Sequence, residues 1–393
     1  MQSFLIERGA YLKNELTITT RTSPHETVHI AVYVKAGSNH EAGYPAGIAH
    51  FVEHMLFKGT TNFSAQAFSE EIDAIGGDVN AYTTKEYTCY SIKTLKRFEH
   101  RAVKLLQEML TEAAFPVEEI EREKQVILEE IKMTEDDPED YIYDLLQERT
   151  FSESCRSPIL GYRSSLAEMN RTDLMRFYKA HYTEDNIILS YAGQQPSLIQ
   201  SLKPFSHPSV KAEPVYAFTP VTLTMDRSLE QSHFLMGFEA VGYHHPLYDA
   251  FSLFSAYFGE SMSSPLFRRL REELSLCYNV YSSLESFVDG GLFTVYIACD
   301  EQHVPAAEQE ILQLLAAPLT PQNLEKAQDY LITSAYMDND YEGSIMARDG
   351  RSLMYYGRLI TLAEFEARIR AVTLEEIGQV QAMLQSPAKI LFK

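Results

Sequence analysis

Apolar and polar residues alternate with period two over 15–22 (ELTITTRT) and 28–36 (VHIAVYVKA), which predicts two β-strands. After the Gly/Pro turn EAGYPAGIAH the pattern becomes helical, from His50 through Leu56. A second helical run covers 65–75 and is stopped by Gly76-Gly77. Residues 78–84 and 87–94 read as a hairpin, and two long helical patterns follow at 98–113 and 117–133, parted at Pro116. The segment EDDPED at 135–140 breaks the pattern and starts another helix, and a strand at 187–192 closes the first half.

Residues 194–217 hold four prolines and little periodicity, which marks a domain boundary. Beyond it the grammar repeats. Strands are expected at 219–225 and 232–238, a helix at 246–258 and a short helix at 264–273, then strands at 278–285 and 291–299. Helices follow at 302–315, 321–339, 341–353, 362–371 and 373–384. The segment TVYIACDEQHVPAAEQEILQLL matches YSIKTLKRFEHRAVKLLQEML in spacing and pattern, so the chain reads as a duplicated α+β unit. The expected organisation is a domain at 1–193, a linker at 194–217 and a homologous domain at 218–393.

Composition narrows the function. A chain of 393 residues with 45% hydrophobic and 23% charged residues is an ordinary globular mix of two or three domains. Its net charge of -21 argues against nucleic acid and against an anionic membrane surface, and would attract basic substrates. The four cysteines, at 89, 155, 277 and 299, form no CxxC pair, so neither a disulfide scaffold nor a cysteine zinc cluster is expected. The N-terminal segment does not read as a secretory signal and no run of about 18 apolar residues occurs. A cytoplasmic location is the expectation.

The candidate chemistry lies in His50-Phe51-Val52-Glu53-His54. Two histidines at i, i+4 on a helix share one face and can hold one zinc ion. Glu53 lies beside the same point and could serve as a general base. The order H-x-x-E-H inverts the usual zinc-protease motif. These groups sit on an otherwise apolar helix (Ile48, Phe51, Met55, Leu56), where ionisable side chains need a partner. A third ligand is required. The helix 117–133 offers glutamates at 118, 119, 121, 123, 129 and 130, of which Glu123 and Glu130, seven apart, share a face with Ile127. Glu118, Glu119 and Glu121 read as solvated.

The segments GIAHFVEHMLFKGT, IGGDVNAYTTKEYTCY and EIEREKQVILEEI resemble the M16 peptidase family, that of mitochondrial processing peptidase, insulin-degrading enzyme and pitrilysin. Length and second half resemble its short bacterial branch. The resemblance implies an α+β fold of two tandem homologous α/β-sandwich domains. It implies that His50, His54 and Glu130 bind one Zn2+ per chain, that Glu53 is the general base and that Glu123 supports the ligands. It also implies that Asn80-Ala81-Tyr82 lies on an edge strand that pairs with an extended peptide, with the Asn80 side chain on a substrate carbonyl; the plain alternative makes Asn80 a hairpin turn residue. LFRRLREELSLCYNVYSS is similar to the family's distal substrate-binding element, in which Arg271 would grip substrate and Tyr278 would hydrogen-bond the oxyanion. The loop Gly259-Glu260-Ser261-Met262-Ser263-Ser264 has fewer glycines than that element usually carries.

The expected function is a zinc endopeptidase that cleaves short or unfolded peptides, such as a precursor or leader. The family's closed chamber takes four such domains and one chain supplies two. A homodimer, or a heterodimer with a related subunit, is therefore expected. The alternative is a non-catalytic or regulatory subunit of a heterodimeric M16 peptidase.

Overall fold

A computed structural model describes residues 4–6, 10–13, 16–152, 155–194, 199, 202 and 214–393. The linker expected at 194–217 lies largely outside the described residues.

The run 78–95 shows how local pattern becomes sheet. Asp78–Thr83 and Thr88–Leu95 pair antiparallel, and Thr84 closes the turn, its N–H and hydroxyl both donating to the carbonyl of Tyr87. The expected hairpin is therefore present. Asn80 stands mid-strand opposite Ser91, so the hairpin-turn alternative for Asn80 is excluded.

The first sheet contains β1 (Phe4–Ile6), β2 (Ala10–Lys13), β3 (Leu16–Thr22), β4 (Thr27–Val34), β5 (Asp78–Thr83), β6 (Thr88–Leu95) and β7 (Ile187–Gly193). Their order is β1-β2-β3-β7-β4-β6-β5. The second sheet contains β8 (Thr222–Met225), β9 (Ser232–Ala240), β10 (Cys277–Ser286), β11 (Gly291–Cys299) and β12 (Ala388–Phe392), in the order β10-β11-β9-β12-β8. Read from its far edge, the second sheet repeats β3-β7-β4-β6-β5 strand for strand. In each, the first two strands run parallel and the rest antiparallel. The duplication expected from spacing is thus visible in topology. In both sheets the edge strand at one end, β5 or β10, carries residues expected to meet substrate.

Each sheet is covered on both faces. On one face of the first, Ile18, Ile30, Val32, Ile92 and Leu189 bury against the helices Ile48–Met55, Glu99–Thr111, Val117–Asp136 and Arg171–His181. On the other, Tyr33, Cys89 and Ile188 meet Met346 and Leu353 of the helix Glu342–Tyr356. The second sheet buries Phe234, Phe293, Val295 and Ile297 under the helices Tyr248–Gly259, Val304–Ala316 and Leu374–Met383. Its opposite face, with Leu235, Tyr296 and Ile390, takes Ile142, Leu145 and Leu146 of the helix Pro138–Thr150.

The covering helices are exchanged along the chain. One compact unit holds residues 1–133, 157–214 and 339–360, and the other holds 134–156, 215–338 and 361–393. The linear division at 193 and 218 differs from these units by the two exchanged segments. Amphipathic helices carry no label for the sheet they will cover, which is why periodicity does not reveal the exchange. Among the described residues no helix is long and apolar enough to cross a membrane.

Candidate active site

The motif helix Ile48–Met55 is almost wholly inside the first unit, with Ile48, Ala49, Phe51, Val52 and Met55 buried. Its entry is fixed by Gly47, which has φ of 89° and lies so close to the backbone of Leu160 and Gly161 that a Cβ would collide with both. The first helical N–H groups are capped from upstream. The buried carboxylate of Glu41 accepts from Gly47 N (2.8 Å) and Ala49 N (2.9 Å). Burial pushes Glu41 up to about 8, and these N–H donors and Lys85 hold it back from a larger rise.

On this helix the His50 and His54 rings lie 4.6 Å apart between centroids. The helix Val117–Asp136 turns the stripe Ile120, Glu123, Ile127, Ile131 inward. The shared face of Glu123 and Glu130 thus meets the motif helix, and the two carboxylates serve different atoms. Glu130 Oε2 stands 3.8 Å from His50 Nε2 and 3.5 Å from His54 Nε2. The ligating atoms of His50, His54 and Glu130 all lie within 4.8 Å of one another, the one such cluster among the described residues. Glu123 instead faces the other ring nitrogen, with Oε2 2.9 Å from His54 Nδ1 and Oε1 2.7 Å from Lys58 Nζ. Glu123 thus fixes the Nδ1 side of the His54 ring, as a carboxylate behind a metal-binding imidazole would. Glu118 and Glu121 are exposed as expected, but Glu119 is half-buried and paired with Arg122.

This donor set fits zinc. Glu130 Oε2 is buried and has no hydrogen-bond partner, although it faces two imidazole nitrogens. A carboxylate oxygen left so is costly unless a cation completes it. Two imidazoles and one carboxylate form a known zinc ligand set. Burial, reinforced by the neighbouring His54, lowers His50 to about 3 and so keeps it neutral, the state that ligates. Burial also acts to lower His54, but the Glu123 bond and the charges of Glu130 and Glu53 raise it overall. Burial acts to raise Glu123, and its bonds to His54 and Lys58 outweigh this and lower it.

Glu53 is buried beside this cluster, and the hydroxyl of Thr83 donates to its Oε2. Burial raises its proton affinity, against the Thr83 bond and His54, while Glu130 adds to the rise. A carboxylate tuned upward is suited to take a proton near neutral pH. Thr83 belongs to β5, the sheet-edge strand that also carries Asn80, Ala81 and Tyr82. Asn80 is exposed, and its Oδ1 accepts the following N–H of Ala81 (2.9 Å). Tyr82 is 41% exposed, with its ring against Tyr87.

In the second unit the expected short helix winds as a π-helix, Phe267–Glu273. It places the Arg271 guanidinium 4.5 Å from the Phe267 ring and 4.2 Å from the Tyr278 ring. Tyr278 is 74% exposed. In the loop after Gly259, Glu260 is exposed, and its carboxylate accepts from Ser255 Oγ (3.1 Å), which ties it back to the preceding helix. Sequence reasoning did not single out Glu41, Lys58 or Thr83. Lys58 alone had a local signal, four residues past His54.

The family model described as Insulinase (Peptidase family M16) matches residues 16–162, and that described as Peptidase M16 inactive domain matches 168–331. The uncharacterized zinc protease YmxG of Bacillus subtilis is 35% identical over 386 residues, 95% of this chain and 94% of that one. The chain belongs to peptidase family M16. An uncharacterized zinc protease of Rickettsia bellii is 32% identical over 383 residues, 94% of this chain and 92% of its own. The fold of this M16 chain matches the crystal structure of a protease from Helicobacter pylori with a TM-score of 0.88 at 19% identity, covering 100% of this chain and 99% of that one. Within the M16 frame, the His50, His54 and Glu130 cluster is consistent with a zinc-binding catalytic site, one per chain.

Proposed function

We propose that this chain is a zinc-dependent endopeptidase acting on short or unfolded peptides. The observation that supports this most is the link between base and edge strand: Thr83 of β5 holds the Glu53 carboxylate. The group that would move protons is thereby referenced to the strand whose free edge would pair with an extended peptide. A reader of backbone through β-augmentation needs an unfolded segment.

Zinc held by His50, His54 and Glu130 would supply Lewis acidity toward the scissile carbonyl. Glu53 takes the proton of the attacking water at the oxygen not held by Thr83, then delivers it to the leaving amine. Asn80 and Ala81 orient the peptide. The Asn80–Ala81 hydrogen bond opens as they do so, because the N–H it occupies lies on the pairing strand. Arg271 and Tyr278 are the second unit's contacts to substrate, as grip and oxyanion donor. Two chains make the chamber, as a homodimer or with a related subunit, in a short bacterial branch of the family. The cytoplasm suits the four free thiols.

The test is metal content and cleavage of an unstructured peptide library. Wild type should hold about one zinc and cut; Glu53→Gln should hold zinc and bind peptide but not cut. Full turnover by Glu53→Gln would overturn the assignment of the base. Sedimentation at working concentration tests the dimer, and a monomer that cuts at full rate would remove it.

A further inference from the structure

β10 and β11 run antiparallel, and their register sets Cys277 opposite Cys299. Residues directly opposed on such strands have Cα atoms about 4.5–5.5 Å apart, inside the span of about 4.4–6.8 Å that a disulfide bridges. The two side chains also share a face. Cys299 is buried in the core under the helices, and Cys277 packs half-buried against that same core. Both are free thiols. Between Cys277 and Asn279 the register slips, which makes Tyr278 the extra residue of a β-bulge. The bulge takes Tyr278 out of the regular alternation and presents its ring to solvent and to Arg271.

We propose that Cys277 and Cys299 form a reversible cross-strand disulfide in the presence of a small hydroperoxide, and that this cross-link locks the bulge that displays Tyr278. The Cys277 thiolate attacks one oxygen of the peroxide. The O–O bond breaks, leaving a sulfenic acid on Cys277 and releasing hydroxide. The Cys299 thiolate then attacks the Cys277 sulfur, the S–O bond breaks, and a second hydroxide leaves. With the two thiol protons, two thiols and one hydrogen peroxide give one disulfide and two waters. The sulfurs together lose two electrons and the peroxide gains them.

Cys277 reacts first because it is the more accessible of the two. Burial pushes it up to about 11, with Arg271 drawing it down. Burial pushes Cys299 up to about 12, with Cys277 and Asp300 adding to the rise. Thiolate is therefore scarce at neutral pH, and the cross-link responds to sustained oxidant rather than to a trace. A link made on an edge strand beside an exposed Tyr–Arg pair is regulatory in character, since the two cores already hold the fold without it.

The experiment uses the full chain and hydrogen peroxide at mildly alkaline pH, followed by alkylation of remaining thiols and peptide mapping. The expected product is a Cys277–Cys299 cross-linked peptide lacking two hydrogens, reversed by dithiothreitol. Backbone hydrogen exchange across 276–282 should be slower in the oxidised protein than in the reduced one. Cys299→Ser should show neither effect, and Cys277→Ser replaces it if the buried variant fails to fold. Progression of Cys277 to the sulfinic acid without cross-linking, or pairing only between chains, would overturn the proposal. A cross-link that leaves exchange at 276–282 unchanged would overturn the claim about the bulge. These readouts are a mass and an exchange rate, so they stand apart from the proposed peptidase activity.

Discussion

Replacing Glu123 by Gln isolates what the positioning carboxylate does. The side chain keeps its size and remains inside, where Glu123 is 4% exposed. Its two oxygens now serve two donors, His54 Nδ1 at 2.9 Å and Lys58 Nζ at 2.7 Å. An amide has only one oxygen. The ammonium of Lys58 cannot accept, so the amide oxygen turns to Lys58 and the NH2 turns to Nδ1. Nδ1 must then be the acceptor, and the imidazole proton moves to Nε2, the atom that faces Glu130. A protonated Nε2 cannot ligate. Binding zinc then requires turning the ring back to the other tautomer against its neighbour, while the Lys58 charge has lost its balancing carboxylate. Partners of this kind are worth about 10- to 100-fold in metal affinity, or about 1.4–2.7 kcal/mol. The assay is zinc titration against a competing chelator, with circular dichroism to show that the variant is folded. An unchanged zinc Kd in folded Glu123→Gln would refute the tautomer argument, and Glu123→Asp should recover part of the loss.

Further predictions address the frame around the site and the second unit's proposed contacts. Glu41→Ala should strand the N–H groups of Gly47 and Ala49, at about 1–3 kcal/mol each, and weaken zinc binding with stability; a native zinc Kd and melting temperature would exclude the cap role. Because Glu41 is lifted to about 8 in the folded chain against about 4.3 unfolded, the folded state binds the proton more tightly. Its contribution to stability therefore falls as pH rises between those values and levels off above about 8, and Glu41→Gln should flatten that slope in urea midpoints. Tyr278→Phe should lose about 100- to 1000-fold mainly in kcat if its hydroxyl meets the oxyanion, and Arg271→Ala should mainly raise KM; unchanged kcat in folded Tyr278→Phe would refute the oxyanion role.

Whatever depends on neighbours within about a turn or a strand was legible in the residues themselves. The i, i+4 histidines share a helix face by covalent geometry, and the seven-residue spacing puts Glu123 and Glu130 on one face in the same way. The hairpin at 78–95 and the repeated order of the two halves follow from period-two runs and their turns. Some local signals were present and passed over. Asn170 caps the helix Arg171–His181 with Asp173 answering it in a capping box, and the short apolar run Ala388–Phe392 is a strand.

Other features had no local signal at all. The division between Glu130, turned to the Nε2 atoms, and Glu123, turned to Nδ1 and Lys58, depends on how two helices cross. Glu41 reaches the motif helix from a loop, and Thr83 reaches Glu53 from a strand 30 residues away. The exchange of Pro138–Thr150 and Glu342–Tyr356 between the two sheets is likewise invisible to pattern, since an amphipathic helix satisfies any apolar sheet face equally well. Sequence determines periodicity and local partners because those are set by bond geometry. Which partner each carboxylate and each covering helix finds is set by burial, and burial exists only once the chain has packed.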